Sequence, residues 1–390
     1  MRILHTSDWH LGRTFHGHSL EDDHEAFLAW LLHVAQERQV DAVVVAGDVY
    51  DRAIPSADTM RLLEKTFEAF ADAGMPLVVS SGNHDSPIRL GFGGRFHERA
   101  GIHLRTTVAD IDRPVVLDDA DGPVGVYGIP YLLPDAVMAE LDAERSHQSV
   151  LTAAVKRIRE DASASGLSRT VVLSHAFITG GQGSDSERDV RVGGIADACA
   201  DVFEGITYVA LGHLHGRQTV TSAFPTTTLT YSGSPLPFSF SEKDHTKSVS
   251  IVEIDGSGTV DVEHVGVPVG RRLAEARGRF EALLARAEGD LAHLADRWVR
   301  VVLTDPGRVL DAMEQFRAHW PHTVEIGFEP EGGLVDEHDD LANLRRTTDP
   351  VEICGSFVNY VGGAPPDESE HSVISDIVEH VQRPKEATTR

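Results

Sequence analysis

Short apolar runs alternate with polar loops along the first 215 residues. The runs lie at residues 3–4, 42–46, 77–79, 171–173 and 208–211, and each is followed by a loop dense in Asp, His, Asn and Gly. Runs of this length and β-branched content predict buried strands. After the first, Phe27, Trp30, Leu31 and Val34 fall at i, i+3, i+4 and i+7, the apolar stripe of an amphipathic helix. Beyond Gly216 the pattern becomes one of consecutive strands, including 228–231 and 248–254. The expectation is an α/β (α+β) fold with a sheet-on-sheet core and helices outside.

Near Gly270 the composition shifts toward Arg, Ala and Glu. The pattern then predicts a helix at 280–287, a strand at 299–303, a helix at 309–318 and a strand at 323–328. Residues 329–340, rich in Gly, Asp and Glu, read as a linker. Two short amphipathic patterns follow, Cys354, Phe357, Val358, Val361 and Ile374, Ile377, Val378, Val381, separated by Gly-Gly-Ala-Pro-Pro. The expected organisation is a main domain over 1–270, a small α/β domain over 271–330, an acidic linker over 331–345, partner-binding helices over 346–382 and a polar tail over 383–390.

Hydrophobic residues make up 41% of the 390, enough to bury real cores. The apolar runs are far short of the roughly 20 residues of a membrane-spanning helix. Asp8 and several histidines stand where a secretory signal needs an apolar stretch, so a cytoplasmic chain without a membrane association is expected. Two cysteines, Cys199 and Cys354, exclude a disulfide framework and a cysteine-based zinc site. Any metal is therefore held by nitrogen and oxygen. With 61 acidic and 35 basic residues the net charge is -26, which argues against binding nucleic acid by bulk attraction. Bound divalent ions or a basic partner would offset that charge where a phosphate sits.

The five loops read Ser7-Asp8-Trp9-His10, Gly47-Asp48-Val49-Tyr50-Asp51, Gly82-Asn83-His84-Asp85, Ser174-His175 and Gly212-His213-Leu214-His215. Loops leaving the carboxyl ends of strands converge on one crevice, so donors dozens of positions apart can meet. Imidazole, carboxylate and amide oxygen together suit Mn, Fe or Zn better than Ca or Mg. Asp8, His10, Asp48, Asn83, His175, His213 and His215 exceed one tetrahedral site. Two ions sharing a bridging carboxylate, roughly 3.5 to 4 Å apart, account for them. His5, His24, His33, His97 and His245 read as ordinary core or surface histidines.

At these residues the chain resembles the calcineurin-like metallophosphoesterase superfamily, whose pattern is D-x-H, G-D-x-x-D, G-N-H-[DE], H and G-H-x-H. The strings Gly82-Asn83-His84-Asp85-Ser86-Pro87, Tyr127-Gly128-Ile129-Pro130-Tyr131, residues 184–188, Tyr231-Ser232-Gly233-Ser234-Pro235 and Ser239-Phe240-Ser241-Glu242 further resemble the SbcD family of nuclease subunits.

The resemblance implies a four-layer α/β/β/α sandwich with a small DNA-facing capping domain. It places Asp8, His10, Asp48 and His215 on one ion, and Asp48, Asn83, His175 and His213 on the other. It implies His84 as a proton donor or transition-state stabiliser beside the ions and Asp85 as the residue that orients it, and leaves the role of Asp51 open. It further implies two Mn²⁺ ions, and hydrolysis of DNA phosphodiesters at duplex ends, single strands and hairpins with 3′ to 5′ polarity. The implied partner is the coiled-coil base of the SbcC ATPase, in a heterotetramer built on a homodimer of this chain. A phosphodiesterase or phosphatase acting on a small molecule or protein fits the metal motifs equally, and a DNA-tethering scaffold is a further alternative. The SbcD-like strings outside the metal loops favour the nuclease.

Overall fold

The apolar runs become strands in the computed structural model, which describes residues 1–187, 198–307, 309–330, 349–362 and 365–382. The first fourteen strands are β1 (Arg2–Thr6), β2 (Thr14–Phe15), β3 (His18–Ser19), β4 (Ala42–Ala46), β5 (Leu77–Ser80), β6 (Ile102–Arg105), β7 (Val115–Asp119), β8 (Gly122–Ile129), β9 (Arg169–His175), β10 (Tyr208–Gly212), β11 (Gln218–Val220), β12 (Thr228–Tyr231), β13 (Ser248–Ile254) and β14 (Val260–Gly266). One six-stranded sheet has the order β14-β13-β1-β4-β5-β6, and a second has the order β11-β12-β10-β9-β8-β7. In each, the strands that precede the donor-rich loops pair in parallel, β1 with β4 and β4 with β5, and β9 with β10.

Strand periodicity sorts these runs onto two faces. Ile3, Val44, Ala46 and Val78 of the first sheet pack against Val171, Leu173, Tyr208 and Ala210 of the second, forming the layer between them. The alternate residues Leu4, Val43, Val45, Leu77 and Val79 face outward and are covered by the helices Glu21–Glu37 and Ala57–Asp72. Val172, Val209 and Leu211 are covered in the same way by the helix His147–Ala164. The result is helix, sheet, sheet, helix, the layering that buries both faces of a sheet.

Unit boundaries follow the contacts, with one compact unit at Met1–Gly270 and another at Arg271–Arg390. The second holds a parallel sheet of β15 (Leu273–Gly278), β16 (Trp298–Leu303) and β17 (Thr323–Phe328) in that order. Helices Phe280–Ala287 and Ala312–His319 contribute Leu283 and Phe316 to its core, where Phe316 stacks on Trp320 with ring centroids 5.4 Å apart. The second of these helices was expected from 309. It begins at 312 because Asp311, at φ 54, is left-handed and cannot continue a helix backward.

The two C-terminal patterns form helices Pro350–Gly362 and Glu368–Gln382, which lie against each other. The expected linker and tail fall outside the described residues apart from Glu329 and Pro330, as do Arg188 and the side chain of Val361.

Candidate metal centre

The donor loops leave the carboxyl ends of β1, β4 and β5 in one sheet and of β9 and β10 in the other. Sequence reasoning anticipated convergence at one open sheet, whereas here two sheets contribute. The loops close on one another because glycines remove side chains where backbones meet. A Cβ at Gly212 would lie 1.8 Å from the Ala46 carbonyl oxygen, and one at Gly82 would lie 2.1 Å from Oδ1 of Asp48. Asp8 (φ 53), His10 (φ 46), Asp48 (φ 50) and His213 (φ 106) occupy the left-handed region that non-glycine residues avoid. Strain of this kind concentrates at functional sites.

All seven expected ligands meet here. Oδ2 of Asp48 lies 3.4 Å from Nε2 of His175, 3.6 Å from Nε2 of His10 and 3.9 Å from Nε2 of His84. Nε2 of His10 and Nε2 of His215 are 3.2 Å apart. Oδ1 of Asn83 stands 2.9 Å from Nε2 of His175 and 3.3 Å from Nδ1 of His213. Asp8 accepts the backbone N–H of His213 at 3.0 Å and the Ser7 hydroxyl at 2.5 Å. Asn83 is half-buried, and the other six are buried.

Three groupings bring ligand atoms within 4.8 Å of one another: Asp8, His10 and His215; His10, Asp48 and His84; and Asp8, Asp48 and His175. Asp8, His10 and Asp48 each belong to two of them, so the groupings share side chains and form one continuous cluster.

The electrostatics are those of a site built for positive charge. Burial pushes Asp8 up to about 6, opposed by His175 and His215. Burial lowers His213 to about 3 and drives His10 well below its ordinary value, so both stay neutral with lone pairs available. Burial alone would lower His175 too, but Asp48 beside it lifts it to about 9, and Asp48 is correspondingly held well below the carboxylate range. Nδ1 of His10 has no hydrogen-bond partner despite its burial. Two buried carboxylates, four clustered imidazoles and an amide oxygen are a donor set that fits divalent transition-metal ions.

The residues around the donors correct one expectation. Asp85 does not orient the His84 ring. Its carboxylate accepts the backbone N–H groups of Gly82 at 2.8 Å, Tyr50 at 2.8 Å and Val49 at 3.1 Å, tying the third loop to the second. The ring of His84 is held through Nδ1, which lies 2.7 Å from the carbonyl oxygen of Asp51. The Asp51 side chain accepts from Arg13 at 3.2 Å and lies 3.6 Å from Nδ1 of His10. Arg13, which nothing in the sequence singled out, also sits over the Phe238 ring at 4.7 Å. Ser186, Glu187, Glu242 and Lys247 pack behind His215. Three of them fall within strings already noted as SbcD-like, without any role being legible there.

A family model described as calcineurin-like phosphoesterase matches residues 1–217, and one described as type 5 capsule protein repressor C-terminal domain matches residues 269–358. The chain is 32% identical over 335 residues to the SbcD component of the SbcCD nuclease of Escherichia coli K12, covering 82% of each. It is 28% identical over 366 residues to the SbcD component of the SbcCD nuclease of Staphylococcus saprophyticus, covering 93% of this chain and 94% of that one. Among solved structures, the calcineurin-like phosphoesterase YfkN of Bacillus subtilis aligns at 15% identity and a TM-score of 0.36, over 70% of this chain and 92% of that one. With its five donor loops intact, the chain belongs to the calcineurin-like phosphoesterases and, among these metal-dependent phosphodiesterases, to the SbcD family of nuclease subunits.

Proposed function

We propose that the chain hydrolyses DNA phosphodiesters with two bound Mn²⁺ ions, as the nuclease subunit of an assembly with an SbcC-type ATPase in the cytoplasm. The observation that carries this reading is the single carboxylate oxygen of Asp48 facing imidazoles of both halves of the donor cluster. Asp8, His10, Asp48 and His215 would hold one ion, and Asp48, Asn83, His175 and His213 the other. Ions held there would supply Lewis acidity, lowering the pKa of bound water and offsetting negative charge at phosphorus.

The chain's own groups do the rest. Since Nδ1 of His84 donates to the Asp51 carbonyl, the neutral ring presents an unprotonated Nε2, and a proton can be delivered from Nε2 only by the doubly protonated ring. Oδ2 of Asp48 lies 3.9 Å from Nε2 of that ring. His84 in this state would hand a proton to the leaving 3′ oxygen. Cleavage would proceed 3′ to 5′ from duplex ends, with endonuclease action on single strands and hairpins, and with ATP dependence when the partner is bound. The small domain over 271–330 would contact the DNA.

Two surfaces support the assembly. The helices Pro350–Gly362 and Glu368–Gln382 leave Phe357, Val373, Ile377 and Val381 exposed, an apolar surface suited to a coiled coil. Ile54, Ile88, Phe92 and Phe96 are each more than two-thirds exposed, apolar side chains that a second copy of the chain would cover. The test is to incubate the protein with Mn²⁺ and compare linear duplex DNA, hairpin DNA and a chromogenic phosphomonoester. DNA cleavage is expected, and hydrolysis of the monoester alone would overturn the reading.

A further inference from the structure

His215 is held from behind by a buried polar network that no metal-site motif contains. Its Nε2 faces His10, while its Nδ1 lies 2.6 Å from Oγ of Ser186. The Ser186 hydroxyl in turn lies 2.5 Å from Oε1 of Glu242. That same carboxylate oxygen is 3.5 Å from Nδ1 of His215 and accepts the backbone N–H of Phe238 at 3.2 Å. The other oxygen of Glu242 is bonded by Lys247, whose ammonium also donates to the His215 carbonyl oxygen at 3.1 Å and to Oγ of Ser234 at 2.8 Å. Glu187 closes the frame by accepting the backbone N–H of His215 at 2.8 Å. Glu242 is 1% exposed.

Counting protons fixes the direction of each bond. Lys247 has three N–H groups and three acceptors, so it is a full ammonium facing Glu242, and Glu242 accepts as a carboxylate. A carboxylate has no proton to give, so across the 2.5 Å contact Ser186 is the donor. Its hydroxyl has only one proton, and the lone pairs left over must accept from Nδ1–H of His215. The neutral imidazole therefore carries its proton on Nδ1, and the lone pair of Nε2 points at the cluster.

We propose that Glu242, paired with Lys247 and acting through Ser186, is a positioning residue that locks His215 in the ring form able to bind a metal ion through Nε2. The inference rests on the reading of His215 as a ligand. A partner on the far ring nitrogen commonly orients a metal-bound histidine, and its loss typically costs 10–100-fold in metal affinity. A carboxylate reached through a serine hydroxyl and buried against a lysine is this chain's version of that device. The Lys247 bond to the His215 carbonyl also fixes the backbone of the same residue, so ring and main chain are held by one pair of charges.

The test compares wild type, Glu242→Gln and Ser186→Ala by ¹⁵N NMR of histidine-labelled, metal-free protein and by calorimetric Mn²⁺ titration. His215→Asn identifies the resonances. In wild type, Nδ1 of His215 should read as protonated and Nε2 as unprotonated. Both variants should show a mixed ring form, and one of the two Mn²⁺ ions should bind about 10–100-fold more weakly. Ser186→Ala leaves the ion pair in place, so it decides the matter if Glu242→Gln does not fold. Ring signals and Mn²⁺ affinity unchanged in the folded variants, even with a lowered melting temperature, would reduce the network to a structural ion pair and overturn the proposal. So would a wild-type ring protonated on Nε2. Failure of wild type to bind Mn²⁺ at all would instead defeat the ligand reading, a result the metal-free spectra do not depend on.

Discussion

Oδ1 of Asp48 accepts the backbone N–H of His84 at 2.8 Å, which turns Oδ2 toward His10 and His175. One oxygen thus holds the loop and the other faces the donors. Asp48→Asn preserves an acceptor for the amide while removing the charge both halves share. The expected outcome is a folded protein that binds neither Mn²⁺ ion firmly and hydrolyses DNA at background rate. A single-ligand change such as His213→Ala should lose one ion. Metal content after desalting, read beside the rate, checks this, and two retained ions in Asp48→Asn would refute the bridging role.

His84 and His175 both lie within 4 Å of Oδ2 of Asp48, yet they are held differently. His175 has Nδ1 anchored 2.9 Å from the Ala46 carbonyl and Nε2 turned to Asn83. His84→Ala should keep both ions and DNA binding while losing on the order of 10²- to 10⁴-fold in rate, the usual contribution of a positioned acid. His175→Ala should lose an ion. Equal metal loss in the two variants would make His84 a ligand.

Asp85 offers a different kind of test, because its carboxylate serves only the backbone. Asp85→Ala leaves the amides of Val49, Tyr50 and Gly82 without their acceptor. At about 1–3 kcal/mol for each buried donor left unsatisfied, the loss of stability should be on the order of 3 kcal/mol or more. Urea denaturation of the metal-free protein measures it. A variant as stable as wild type would show that water replaces the carboxylate.

The contrast between Asp85 and the seven donors marks where sequence reading succeeds. The convergence of these residues was legible because each follows a strand-length apolar run, and parallel strands send the loops that follow them to the same end of a sheet. The role of Asp85 was not, because its partners at 49 and 50 lie across a loop-to-loop contact that no spacing encodes. Nor was the division of donors between two sheets, since apolar runs report burial but not which strands pair. Arg13 and Lys247 are single cations in ordinary sequence, and only the fold brings them to the site. The left-handed backbone at Asp8, His10 and Asp48 likewise has no sequence signature, because Asp and His are common where no such strain exists.

His5 gives the stability a pH dependence of known sign. Burial lowers it from its ordinary 6.5 to about 3, and Nδ1 is 2.8 Å from the Tyr208 hydroxyl. Between those values the unfolded chain binds the proton and the folded chain does not, so stability rises with pH across this window and is lost as pH falls below 6.5. The slope from this one group approaches about 1.4 kcal/mol per pH unit. In His5→Gln the acid limb should be shallower by that amount, as read from denaturation midpoints between pH 6.5 and 4. Parallel wild-type and variant curves would show that His5 is charged in the fold.

The C-terminal helix pair provides the last prediction. Phe357 is 62% exposed, Ile377 58% and Val381 77%, so the helices Pro350–Gly362 and Glu368–Gln382 carry apolar side chains that the described residues leave uncovered. Isolated helices under roughly 12 to 15 residues are marginal in water, and packing against each other covers only part of each face. An outside partner would complete the burial, and anchors at i, i+3, i+4 and i+7 suit a groove or coiled coil. Phe357→Glu places a charge in that seam without touching the donor loops. It should leave Mn²⁺-dependent cleavage by the chain alone intact while abolishing capture of an SbcC-type ATPase and the ATP-dependent cleavage that follows. A chain cut near Gly333, which falls outside the described residues, should behave in the same way. The measurement pairs a pull-down with a nuclease assay lacking the partner. Undiminished partner affinity in the truncated chain would place the contact elsewhere, and loss of basal cleavage in Phe357→Glu would mean that the helices support the catalytic unit itself.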